Sequence, residues 1–174
     1  EVESFEELNS GYSLNISRKA NDLKINWICE KLVFCNNAWI SKYFPEYGIK
    51  PGRGQVLISK PIRSLKFKGS FHFDEGYYYF RNFEDRVLFG GGRNLDFTTE
   101  STYEIGLNEE IQNRLESYLR EIILPDTEFE IDQRWSGMMG FTEDKKPIIK
   151  KHKKGIYIGF ACNGMGIALG TESG

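Results

Sequence analysis

Apolar and polar residues alternate at the start of the chain. Tyr12-Ser-Leu-Asn-Ile-Ser17 and Leu23-Lys-Ile-Asn-Trp27 switch at nearly every position, with the turn-forming Lys19-Ala-Asn-Asp22 between them. Side chains of a strand point to opposite faces in turn, so this pattern predicts a β-hairpin. Residues 1–10 are acidic and weakly patterned and read as the exit from an element outside this sequence. The next apolar run, Leu32-Val-Phe-Cys35, predicts a short strand closed by Asn36-Asn37, whose side chains can cap a helix or bond their own backbone.

Pro45, Gly48, Pro51, Gly52 and Gly54 then punctuate the chain, which puts a domain boundary near residue 46. Strands are predicted over 53–59, 70–73, 76–80 and 87–90, antiparallel neighbours separated by short polar turns. Asn108 with Glu109 and Glu110 is a helix start, since the amide oxygen caps free N–H groups and the acids meet the positive dipole end. Ile111, Leu115, Tyr118, Leu119 and Ile122 recur at helical spacing until Pro125. Residues 128–135 alternate as a strand, and Ser136-Gly-Met-Met-Gly140 is expected to break it.

The chain ends on Ile156-Tyr-Ile-Gly-Phe-Ala161, apolar enough for a strand covered on both faces, as in a parallel sheet. Asn163, Gly164 and Gly166 follow at once. They allow a sharp turn and a close backbone approach, and a helix starting there aims its N–H groups at whatever lies above the sheet edge. The same three residues also suit a tight packing turn, and their spacing is not the dinucleotide fingerprint G-x-G-x-x-G.

Composition narrows the function. The 174 residues hold 23 Lys and Arg against 25 Asp and Glu, a net charge of −2, which argues against nucleic acid as a partner. No apolar run is long enough for a bilayer span and no signal-peptide pattern opens the chain, so a soluble cytoplasmic protein is expected, with no membrane partner. Cys29, Cys35 and Cys162 are odd in number and sit in apolar runs, as buried thiols of a reducing compartment do. His72 and His152 lack partners at ligand spacing, so no metal site is expected, and no G-x-S-x-G or H-E-x-x-H motif occurs. Lys145, Lys146, Lys150, Lys151, Lys153 and Lys154 form a solvated face around two turns.

Candidate chemistry is concentrated in Tyr77-Tyr-Tyr-Phe-Arg81, which presents Tyr77, Tyr79 and Arg81 on one strand face. Hydroxyls beside a guanidinium can orient a small carboxylate or amine, although cross-strand aromatic packing explains the same residues. Gly90-Gly-Gly92 removes side chains where a ring or substrate could lie on the backbone, or forms a bulge.

In order, Cys35-Asn-Asn-Ala-Trp39, Pro51-Gly-Arg-Gly-Gln55, Tyr79-Phe-Arg81, Leu88-Phe-Gly-Gly-Gly92, Trp135-Ser-Gly137, Phe141-Thr-Glu-Asp-Lys-Lys-Pro147 and Asn163-Gly-Met-Gly166 follow one family's pattern. The chain resembles the carboxyl-terminal part of the D-amino-acid-oxidase-like FAD-dependent oxidoreductases, in their amine and γ-glutamylputrescine oxidase branch. The resemblance implies an α+β fold: a mixed, largely antiparallel substrate-domain sheet with one long helix, plus strands and the last helix of an incomplete Rossmann-like FAD domain. The corresponding division is 1–45 and 151–174 for the FAD segments and 46–150 for the substrate domain.

The activity implied is hydride transfer to flavin from a C–H beside the nitrogen of an amine or amino acid, giving an imine that water hydrolyses. Asn163, Gly164, Met165 and Gly166 match the final flavin-binding turn, and Trp135, Gly137, Asp144 and Pro147 match the loop beside the flavin. No cysteine lies between Trp135 and Asp144, so the FAD is expected to be non-covalent. Tyr79, Arg81 and Gly92 match substrate-facing strands, and no catalytic residue is singled out. The amino-terminal G-x-G-x-x-G unit is missing from these residues, so the chain alone is expected to lack FAD and activity. Two other readings stay open: a stand-alone binding module that lost the chemistry, and a flavin enzyme that modifies a tRNA base.

Overall fold

The computed structural model describes residues 2–18, 21, 23–63, 65–160 and 163–173. Among the described residues, three sheets and two α-helices make up an α+β fold in which nearly all strand pairs are antiparallel. The first sheet has the order β1 (Val2–Leu8), β2 (Gly11–Arg18), β3 (Leu23–Cys29). The predicted hairpin is β2 with β3, while Lys19, Ala20 and Asp22 of its turn lie outside the described residues. Residues 2–8 are not an exit segment but a third strand on β2. Only Phe5 of that strand turns inward, against Tyr12, Phe34 and Tyr43, and a single inward residue leaves no alternation to read.

The second sheet joins β10 (Ile148–Lys153), β11 (Ile156–Phe160) and β4 (Leu32–Phe34), with β11 and β4 parallel. Ile156 and Ile158 are buried with Leu32, Ile40, Phe44 and Ile49, which makes one hydrophobic core. The opposite face is not covered as the apolar run suggested: Tyr157 and Gly159 are half-buried and Val33 is exposed. The thiols also differ from expectation, with Cys35 exposed and Cys29 half-buried, because each sits at a strand end. Cys162 lies outside the described residues. Asn36 starts a 3-10 turn over Asn37–Lys42 without a side-chain cap, and Asn37 instead donates to the Met138 carbonyl at 2.8 Å.

The third sheet runs β6 (Ser70–Phe73), β7 (Tyr78–Phe83), β8 (Arg86–Gly91), β5 (Lys50–Ser59), β9 (Ile131–Phe141). One face packs on helix α1 (Glu109–Tyr118), and Leu57, Tyr78, Val87, Phe89, Ile111, Leu115 and Leu119 form the second core. Asn108 caps α1, accepting from the Ile111 N–H at 3.3 Å. Past Tyr118 the helix widens into a π turn over Leu119–Ile123, with the Leu124 N–H on the Leu119 carbonyl. The extra residue in that turn rotates Ile122 outward, so it is 57% exposed although it continues the apolar spacing, and Leu124 is buried instead.

Strand β9 does not break at residues 136–140 but keeps its ladder with β5 through Phe141. Its glycines face places where other groups come close. A Cβ at Gly140 would lie 3.2 Å from the Ala38 nitrogen, while Gly137 faces open space. The last helix, α2 (Gly166–Ser173), follows the left-handed pair Asn163 and Gly164.

Candidate functional site

The face of the third sheet turned away from α1 carries the site. Register places Tyr79, Gly90, Val56 and Trp135 in one cross-strand row on that face, because Tyr79 pairs with Gly90, Gly90 with Val56 and Val56 with Trp135. The next row along β5 and β9 is Gly54 opposite Gly137, and the one after is Gly52 opposite Met139. Of these two facing glycines, Gly137 leaves its backbone open. Around Gly137 no atom lies within 4 Å of where a Cβ would be, and Gly54 has only the Met139 methyl close by, at 2.8 Å.

Side chains fence this bare strip. The Tyr79 ring lies over Gly90, where a Cβ would be 2.6 Å from its hydroxyl oxygen. Burial pushes the Tyr79 phenol above its ordinary value, so it is a neutral donor throughout the physiological range. Trp135 stands at the other side of the row, 38% exposed. At the far end the Arg93 guanidinium lies over Gly52, with its carbon 4.7 Å from the Phe141 ring centre and 5.0 Å from that of Phe97.

Beneath the strip, on the helix-facing side, a buried polar network fixes β5. Glu100 is fully buried and accepts from Arg53 Nη2 at 2.7 Å, Gln55 Nε2 at 3.0 Å and Asn108 Nδ2 at 3.1 Å. Burial opposes the charge on Glu100, but the hydrogen bonds from Arg53, Gln55 and Asn108 outweigh it and hold its carboxyl below the usual range. Gln112 of α1 continues the network to Gln55, and Arg134 bonds Gln112 and Glu116. A strand held this way from below keeps its upper face in place without side chains there.

The turn at 163–166 is latched to the end of β9. Asn163 Oδ1 accepts from the Thr142 N–H at 2.8 Å, the Asn163 N–H donates to the Gly140 carbonyl, and a Cβ on Gly164 would touch the Met139 sulfur at 3.7 Å. Met139 therefore links the turn to the glycine strip. Met165 is exposed and Gly166 is the first residue of α2.

With that geometry in place, comparison with known proteins decides the family. The family described as FAD dependent oxidoreductase (DAO) matches residues 1–174. The chain belongs to the DAO family of FAD-dependent oxidoreductases. No curated protein gives a significant sequence match. Among solved structures the chain is similar to glycine oxidase from Geobacillus kaustophilus, with a TM-score of 0.79 at 19% identity over 99% of this chain and 45% of that one. Glycine oxidase from Bacillus cereus gives 0.76 at 18% identity, covering 100% and 47%. L-proline dehydrogenase from P. horikoshii gives 0.71 at 21%, covering 95% and 45%. The chain thus spans about half the length of these relatives, and at such identities the likeness establishes the fold.

Against the family's cofactor, the residues present fit one wall: the open backbone of Gly137, where no side chain stands in the way of a ring, with the left-handed turn of Asn163 and Gly164 near its Met139 end. Of the residues picked out from sequence, the fold gathers Tyr79, Trp135 and Gly137 on this face, and places Asn163, Gly164, Met165 and Gly166 at its Met139 end. Arg81 shares the face of Tyr79 but stands further out, exposed, with its guanidinium over the Phe83 ring. Tyr77 precedes β7 and packs edge-on to Phe97. Gly92 faces the helix side, where a Cβ would meet Ile111 at 2.9 Å and Tyr78 at 3.3 Å. Sequence reading missed Arg93, Phe97 and Glu100, which lie in a stretch with no periodicity. The signal available was three charged residues, Arg93, Asp96 and Glu100, following the glycine run 90–92.

A cleft of about 690 Å³ opens elsewhere, between the first sheet and β4, lined by Phe5, Leu14, Val33, Phe34, Trp39 and Tyr43 among others. Its walls are mainly aliphatic and aromatic, which suits packing better than bond-breaking chemistry.

Proposed function

We propose that this chain supplies the substrate face and one wall of the flavin site in an oxidoreductase that oxidises the C–N bond of a small amine or amino acid. The observation that carries the reading is the open backbone of Gly137, beside Trp135 on the face that Tyr79 shares and next to Gly54 under the Met139 methyl, in a member of a flavin-dependent family. When bound, FAD supplies an acceptor for the hydride of the C–H beside the amine nitrogen. Trp135 and Gly137 would border its ring, and the turn of Asn163, Gly164, Met165 and Gly166 would close one end. The attachment is non-covalent, since no cysteine lies between Trp135 and Asp144.

The chain's own part in the reaction is positioning. Tyr79 offers a neutral hydroxyl over Gly90, in the row next to Gly137, and with Trp135 would wall the reacting carbon from water. Arg81 lies at the outer rim of that face, and in this reading Gly92 supports it from the helix side, where its missing Cβ leaves room for Ile111 and Tyr78. In this reading the FAD segments are 1–45 and 151–174 around a substrate domain 46–150, and the first core joins Tyr12, Leu32, Ile40 and Phe44 to Ile156 and Ile158 while also taking in Ile49 from across the boundary. The exposed, unpaired Cys35 favours a reducing compartment such as the cytoplasm.

The test is anaerobic. A full-length protein carrying this chain and a complete FAD site is mixed with a panel of primary amines, secondary amines and amino acids, and the visible flavin band is followed. Bleaching by at least one C–N substrate is expected. Bleaching by none, with dithionite still reducing the flavin, would sink the reading.

A further inference from the structure

The five-stranded sheet ends on β6, an edge unlike those of the two smaller sheets. Outer strands usually carry charges or proline, which keep a further strand from adding to their unpaired N–H and C=O groups. At the edges of the smaller sheets, β1 carries Glu3, Glu6 and Glu7, and β10 carries Lys150, Lys151 and Lys153. The four residues of β6, Ser70-Phe-His-Phe73, include no lysine, acid or proline, and among the described residues no strand pairs with their outer side. Ser70, Phe71 and His72 are exposed. The Phe71 ring stacks on Phe80 of β7 with centroids 4.8 Å apart, yet Phe71 stays 38% exposed.

The charges stand at the two ends of the strand instead. Lys66 and Lys68 precede it and Asp74 and Glu75 follow it, all four exposed and, among the described residues, without an ion-pair partner. Asp74 and Glu75 also hold left-handed backbone, φ 52° and 54°, which glycine or asparagine adopts at lower cost. A segment positive at one end, aromatic in the middle and negative at the other end is complementary to itself when turned around. That is the symmetry of an isologous two-fold contact.

We propose that β6 pairs antiparallel with β6 of a second copy of this chain. Phe71 and Phe73 point to the helix side with Phe80 and Tyr78, and Ser70 and His72 to the open side with Arg81 and Tyr79. Opposite residues of an antiparallel pair share a face, so the two-fold must set odd positions against odd and even against even. With Phe71 opposite Phe71, Ser70 faces His72, and Lys68 of each copy meets Asp74 of the other. The neighbouring registers set Lys68 against His72 or Gly76 instead. In the favoured register the two open faces join into one, and the second copy's Ser70 comes beside His72, whose ring is 6.2 Å from that of Tyr79. Four paired residues span only about 14 Å, short of a standard interface, so the dimer is expected to dissociate at micromolar concentrations.

The experiment is sedimentation equilibrium of the flavin-loaded full-length protein from about 1 to 100 µM. Wild type is expected to dimerise. Lys68→Glu and Asp74→Lys should each weaken the dimer roughly tenfold or more, because each sets like charges together at both ends of the paired strands. Mixed in equal amounts, the two variants should dimerise as wild type does, since opposite charges then meet at both ends, and mixing would not rescue a misfolded variant. A wild type that is monomeric throughout, dimerisation indifferent to either reversal, or variants that stay apart when mixed overturns the proposal. Should Asp74→Lys fail to fold, Lys68→Glu decides: with its Tm unchanged, a weakened dimer supports the pairing and an undiminished one overturns it.

Discussion

Glu100 is the residue on which the sheet's polar underside depends, because it gathers Arg53, Gln55 and Asn108 from three separate segments at one buried carboxylate. Glu100→Ala leaves the Arg53 guanidinium buried without its counter-charge, so a loss of about 3 to 5 kcal/mol in urea unfolding is expected. The pH dependence follows from its lowered carboxyl pKa. The folded state holds the charge more tightly than the unfolded chain does. Its stabilisation is therefore complete above the ordinary carboxylate value of about 4.3 and is lost as pH falls below it. Stability measured from pH 6 down to about pH 3 should accordingly fall more steeply in wild type than in Glu100→Gln. An equal slope would mean that Glu100 does not carry this term. None of this is readable from sequence, since Arg53 and Glu100 are 47 positions apart and Glu100 lies in a stretch with no periodicity. Tyr79 and Trp135 were legible because each occupies an alternating strand, where face follows from position alone.

Among the elements, the strand β9 and the turn after β11 work as one unit through Asn163. Its left-handed backbone, φ 52°, is one that asparagine tolerates better than most residues, and its side chain holds Thr142. Asn163→Ala keeps the chain length but loses the latch at an unfavourable φ. Roughly 1 to 2 kcal/mol of local stability should go. Faster amide hydrogen exchange confined to residues 142 and 163–169 is the expected signature, and exchange unchanged there would show that the turn is held by other contacts. Helix α1 was legible to its cap, because a capping asparagine, two acids and an apolar stripe agree. Its end before Pro125 was legible as well, but the inward face of its last turn was not, since a π turn changes which residue points inward without changing composition. The continuity of β9 was hidden for a related reason: Gly137 and Gly140 look like breakers until the groups they make room for are known.

At the scale of the whole molecule, the order of strands, the single long helix and the family were visible in the sequence, while β1 and the pairing of three separate sheets required long-range contacts. The chain carries one wall of a ring site and spans about half of its structural relatives, so flavin affinity should be incomplete in these residues alone. Purified by itself and dialysed against FAD, the 174-residue chain should remain colourless, and a stoichiometric yellow complex would show the site to be complete as it stands. The central claim, that the bare Gly54 and Gly137 strip is where ring and substrate meet, has a sharper test in Gly137→Val. Nothing lies within 4 Å of that Cβ position and no left-handed backbone is needed, so a β-branched residue suits the strand and the fold should lose no stability. Thermal unfolding and flavin reduction by the protein's own amine or amino-acid substrate are measured side by side in the full-length protein. An unchanged Tm with flavin binding or flavin reduction lost is the expected result. An unchanged Tm with both FAD affinity and the rate of flavin reduction intact would contradict the account.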